Sequence, residues 1–121
     1  MADTDWYATY ARKEEQLRPI VQQAIDAVLR AEGGQRPPIR ARLIHGAIGI
    51  DPKHLVIWYL FKTDREKELS DASGQTKRLI DDTLKALADF NYPHHTVGRE
   101  QVCFASEEEI GRAGGHTEFF R

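Results

Sequence analysis

Leu55-Val56-Ile57-Trp58-Tyr59-Leu60-Phe61 is apolar at every position, and no other segment of the chain is so over that length. β-Branched and aromatic side chains fit a pleated surface, and a run without polar alternation suits a strand covered on both faces. Asp51-Pro52-Lys53-His54 bounds it on one side and Lys62-Thr63-Asp64 on the other. It is far too short to span a bilayer. The run is therefore read as a central strand. Trp58, in its middle, is expected to be largely buried, so that Trp58→Ala would cost roughly 3–5 kcal/mol.

The neighbours of this strand follow from their own patterns. Before it, residues 39–50 read as a strand, and Asp51-Pro52 supplies the first two positions of a type I turn, which predicts an antiparallel hairpin. Gly46 and Gly49 suggest a bulge or a close backbone approach there. Upstream, Leu17, Ile20, Val21, Ala24, Ile25, Val28 and Leu29 recur at spacings of three and four, giving one apolar stripe on a helix over residues 5–32. Pro19 should kink that helix or mark the junction of two segments, and Gly33-Gly34 should end it.

After the central run, Asp64-Arg65-Glu66-Lys67-Glu68 alternates in sign. Thr63 and Glu66 have the spacing of a capping box, but the stretch is read as a solvated surface connection. Residues 73–90 form the second main helix, with Leu79, Ile80, Leu84, Leu87 and Ala88 on one side. A third strand centred on residues 101–105 can lie parallel to a hairpin strand, because a whole helix intervenes. Ser106-Glu107-Glu108-Glu109 is a second capping box, and residues 117–120 are read as a last short strand. The predicted fold is α+β in the order α-β-β-α-β-α-β, with two main helices on one face of a mixed sheet of about four strands. At 121 residues the chain is expected to form one domain, residues 1–121.

Composition narrows the function. A formal net charge of −2 provides no extended positive field, which disfavours nucleic acid as a partner. The N-terminus lacks the basic and apolar regions of a secretory signal, and one cysteine cannot form an internal disulfide. Both agree with a cytoplasmic protein without a membrane segment. Cys103 lies in Val-Cys-Phe-Ala and is read as a small buried hydrophobe with an inert thiol. His45, His54, His94, His95 and His116 match no metal-binding spacing, so no metal or cofactor is expected. His45-Gly46-Ala47-Ile48-Gly49 leads into a turn instead of a helix, and so offers no phosphate cradle. Glu107 to Glu109 fit the positive end of a helix dipole better than an acid-base site. Trp6, Tyr7 and Tyr10 could anchor a partner, although covering one end of the sheet is the commoner role.

Arg30, Arg36, Arg40 and Arg42 form the densest basic stretch, with Arg40 and Arg42 on one strand face. They could receive a partner's carboxylates, or protect an edge strand by charge. Together with Asp64, Glu66 and Glu68, in the loop Asp64 to Asp71, Arg36, Arg40 and Arg42 are the candidate partner-binding residues.

Ser106-Glu107-Glu108-Glu109-Ile110, then Gly114-Gly115, then Phe119-Phe120-Arg121 resembles the ending of a group of small uncharacterised bacterial α+β proteins. Ile57-Trp58 with Lys62-Thr63-Asp64 is also similar to that group. After Gly115 this sequence has His116-Thr117 where the group carries an Asn-Trp pair. The resemblance implies no catalytic residue. The sequence is thus read as a non-enzymatic cytosolic domain that binds another protein, of the immunity-protein kind that neutralises a toxin. The alternative is a small enzyme or ligand-binding protein with a cleft built from His45, His54, Cys103 or His116.

Overall fold

The computed structural model describes residues 2–34 and 36–121, leaving aside the side chains of residues 2–5 and 94. It is a mixed α+β architecture built on a three-stranded sheet in the order β1-β2-β3. β1 (Ala41–His45) pairs antiparallel with β2 (Val56–Phe61), and β2 pairs parallel with β3 (Val102–Ser106). The apolar run is therefore the middle strand. Alternation along it splits the side chains between two layers. Ile57 and Tyr59 join the cluster built by the first and third helices, and Leu60 and Trp58 join a smaller cluster on the other face.

Helix α1 (Ala2–Glu32) buries Val21, Ala24, Ile25 and Val28 against the first face. It runs through Pro19 as one helix and not as two segments. Pro19 lies on the exposed side, where the carbonyl it leaves unpaired can be hydrated. β1 is much shorter than the expected strand over residues 39–50. Gly46 turns the chain at φ +104°, and a Cβ there would stand 1.9 Å from the His54 carbonyl oxygen. Only glycine fits that approach. The chain then drops Ile48 into the core and passes Gly49 under α1, where Glu14 accepts the Gly49 N–H at 2.9 Å. Asp51 accepts from the Lys53 amide and opens a 3₁₀ turn, Pro52–His54, that completes the hairpin.

The charged stretch after β2 is not a surface connection. It is helix α2 (Asp64–Ser73), started by Thr63, whose hydroxyl accepts the Glu66 N–H at 3.1 Å. Ser70 is its one buried residue, so no apolar stripe advertises it. Gly74 in the left-handed conformation separates it from α3 (Gln75–Asp89), which buries Leu79, Thr83, Ala86 and Leu87. The Tyr59 hydroxyl meets Thr83 Oγ1 at 2.8 Å inside this layer, and burial pushes the Tyr59 phenol up to about 12.

α4 (Glu107–Arg112) begins as expected. Ser106 Oγ accepts the Glu109 N–H at 3.0 Å, and Glu109 Oε1 accepts the Ser106 N–H at 2.8 Å. The expected fourth strand is instead a helical turn, α5 (His116–Phe119). Phe119 and Phe120 both pack on Trp58, with ring centroids 6.0 and 5.1 Å away. In a strand, adjacent residues point to opposite faces, so one ring would have to leave the contact. The two main helices, α1 and α3, share one face as expected, and α4 and α5 cover the other.

Trp58 is partly buried, at the margin of the second cluster. Its removal should cost about 2 kcal/mol, less than for a fully buried tryptophan. Urea denaturation of Trp58→Ala and of Phe120→Ala should show less than additive losses in the double variant, because either change releases α5. Full additivity would mean that the rings do not hold α5.

Candidate functional site at the carboxyl ends of the parallel strands

β2 and β3 are parallel neighbours with Phe61 opposite Ser106, so α2 and α4 start side by side. Their first turns are laced together. Glu108 Oε1 accepts the Asp64 N–H at 2.8 Å, providing for one of the four unpaired amides at the start of α2. Ser106 Oγ donates to Asp64 Oδ1, and Arg112 pairs with Asp64 Oδ2 at 2.7 Å. Lys67 Nζ donates to Glu109 Oε1 at 2.9 Å. The hydrogen bond from Arg112, followed by that from Ser106, holds the Asp64 carboxyl below the usual range. Asp64 is consequently a weak base, and Ser106 is fully buried. The group has the features of a joint between two helices and a sheet, not of an activated nucleophile.

Beside this joint lies a cleft of about 460 Å³, lined by Asp64, Lys67, Glu68, Asp71, Thr76, Phe104, Glu109 and Arg112. Phe104 stacks on Tyr59 and Phe61, with centroids at 5.9 and 6.3 Å. Lys67 and Arg112 are already matched by Glu109 and Asp64. Glu68 and Asp71, three positions apart and so neighbours on α2, have no side-chain partner among the described residues. Two unmatched carboxylates thus face a cleft with an aromatic wall.

Of the residues singled out from the sequence, Asp64 and Glu68 line this cleft, while Arg36 and Glu66 line a second hollow of about 370 Å³ on α2, with Pro37, Pro38, Leu69 and Ser73. Arg40 and Arg42 stand apart from both. Arg40 pairs with Glu107 at 3.0 Å, and Arg42 pairs with Asp26 of α1. A partner's carboxylate would have to displace these internal anions. Phe104, Glu109 and Arg112 escaped the sequence reading as site residues. The signal that could have found them is the parallel pairing itself, which brings both helix starts to one end of the sheet.

The described histidines and Cys103 are spread over several elements. His45 and His116 each pack on Phe120, at 5.0 and 5.7 Å, whereas Cys103 pairs in register with Trp58 and His54 lies exposed in the 3₁₀ turn. His95 is exposed, and the His94 side chain lies outside the described residues. Among the described residues no group of three His, Cys, Asp or Glu side chains is placed to hold a metal ion. Trp6 and Tyr7, far from the cleft in sequence, are 59% and 65% exposed and do not serve as core cover. No helix among the described residues is long and apolar enough to cross a membrane. Comparison with protein families, curated proteins and solved structures finds no match for this chain.

Two measurements check this geometry. Because the Asp64 pKa is depressed on folding, its contribution is present above the ordinary carboxylate range and is lost as pH falls through the folded value. Asp64→Asn should therefore lower the urea midpoint near neutral pH and make little difference at strongly acid pH; equal losses at both would remove the charge from the account. Cys103 is partly buried, its thiol donates to the Glu100 carbonyl at 3.3 Å, and burial pushes its pKa up. A thiol reagent at neutral pH should label the native protein far more slowly than the urea-unfolded chain.

Proposed function

We propose that this chain is a protein-binding domain whose acidic cleft beside α2 receives a basic side chain of another protein. The observation that carries the reading is the pair Glu68 and Asp71, unmatched carboxylates over a cleft walled by Phe104. An arginine or lysine entering there would gain two anions and an aromatic face at once. Arg36 and Leu69, on the other flank of α2, extend the contact surface with a cation and an exposed apolar side chain. The partner is a protein with a basic functional surface. A toxin acting on an anionic substrate carries such a surface, and an immunity-type protein that fills it would block the toxin.

The test is affinity capture from the native host, with partner identification by mass spectrometry, followed by titration of the purified pair. Glu68→Lys with Asp71→Lys should leave the melting temperature near that of the parent and weaken binding by roughly tenfold or more, mainly through faster dissociation. Reversal of Arg40 and Arg42 to Glu should weaken binding less, because both are engaged within the chain. Failure of the parent to retain any protein, or binding indifferent to the α2 double reversal, would overturn the proposal.

A further inference from the structure

At the opposite end of α3 from its C-terminus, a separate hollow of about 200 Å³ is lined by Leu29, Glu32, Gly33, Gly34, Pro37, Pro38, Ile39 and Gln75. Two of these side chains are buried and polar, Glu32 at 8% and Gln75 at 1% exposure. Among the described residues each has one acceptor without a hydrogen-bond partner, Glu32 Oε2 and Gln75 Oε1. The orientation of Gln75 is fixed, because its Nε2 donates to the Pro37 carbonyl at 2.9 Å, so the oxygen is the atom left over. The other oxygen of Glu32 is ion-paired with Arg78 Nε at 3.7 Å, a contact too long for a good hydrogen bond and one that does not reach Oε2. Buried acceptors ordinarily find donors, and leaving one bare costs about 1–3 kcal/mol.

We infer that this hollow binds a primary alkylammonium group. Three features select it. Both bare atoms are acceptors, so the missing ligand is a donor, and one of them is a carboxylate oxygen, which favours a cation. Glu32 also closes α1, where the negative end of the helix dipole adds to the attraction. The two acceptors come from different residues. An ammonium, with three radiating donors, serves such single oxygens better than a guanidinium fork, which wants both oxygens of one carboxylate. Leu29, Pro37, Pro38 and Ile39 supply apolar walls for a methylene stem. The hollow greatly exceeds the ~30 Å³ share of one water. This site is independent of the cleft at Glu68 and Asp71, and either could fail without the other.

The probe is n-butylammonium, titrated into the ¹⁵N-labelled protein while the Gly33 and Gly34 amides and the Gln75 side-chain amide are followed by NMR. Saturable shifts at these groups are expected, with n-butanol, which has the same stem and no charge, giving none. Glu32→Gln, checked for an unchanged spectrum elsewhere, should weaken the binding by roughly tenfold or more. Should that variant not fold, the contrast between n-butylammonium and n-butanol on the parent decides alone. A capped lysine binding more tightly than n-butylammonium would make the source a lysine of another protein, and the reverse order a free amine; either result supports the site. Absence of saturable shifts, or equal response to the alcohol and the ammonium, would overturn it and leave a water-filled hollow.

Discussion

The structure depends on β2 being used on all four sides. Both of its edges are hydrogen-bonded, to β1 and to β3, and both of its faces are covered, the one with Val56 and Trp58 only in part. A strand covered on both faces has little place for polar side chains, which is why its sequence lacks polar alternation. Everything else is arranged to satisfy one of those four sides. α1 and α3 close the first face with a broad aliphatic layer, while the second face is closed by little more than α4 and one aromatic turn. The two layers differ accordingly in thickness and in chemistry: aliphatic with a buried Tyr59–Thr83 hydrogen bond on one side, aromatic with His45 and Trp58 at its margin on the other.

The joint at the end of the parallel pair converts this sheet into a surface. Helices α2 and α4 each begin where a strand ends, and their caps exchange groups: Ser106 serves both Glu109 and Asp64, and Glu108 serves the α2 amide. Such sharing fixes the positions of Lys67 and Arg112, the cations of the cleft, so that among the described residues Glu68 and Asp71 remain without counterparts. The unmatched charge of the cleft is thus a consequence of how the helices are anchored. A cleft assembled from helix starts on a rigid sheet also keeps its shape, which reduces the ordering cost of receiving a side chain.

How much of this was legible in the sequence depends on whether a residue's role is local. The central strand, the hairpin, the parallel third strand and the Ser106–Glu109 capping box were readable because composition, turn chemistry or a fixed spacing carries each of them. α2 was not, since a helix that buries only Ser70 has no apolar period to detect. Phe119-Phe120 read as strand because aromatic residues favour sheets, and the contact with Trp58 that bends them into a turn is made across the fold. For the site, the charge run at residues 64–68 pointed to the right helix. Arg112 and Phe104 could join it only once the register of β2 on β3 was known. Glu32 and Gln75 are further from reach, because nothing in their neighbourhood marks a glutamate or a glutamine as buried.

The parallel pairing of β2 with β3 also shapes how the chain reaches this structure. The β1–β2 hairpin closes through a short connection, whereas β3 can dock only after all of α2 and α3 has been laid down and folded back. Loop-closure entropy makes that second pairing the late one. In the interval β2 presents an open hydrogen-bonding edge made of the most hydrophobic segment in the chain, the kind of edge that pairs readily with another molecule's strand. Solubility during synthesis therefore rests on how fast α3 covers Ile57 and Tyr59 and delivers β3 to its place.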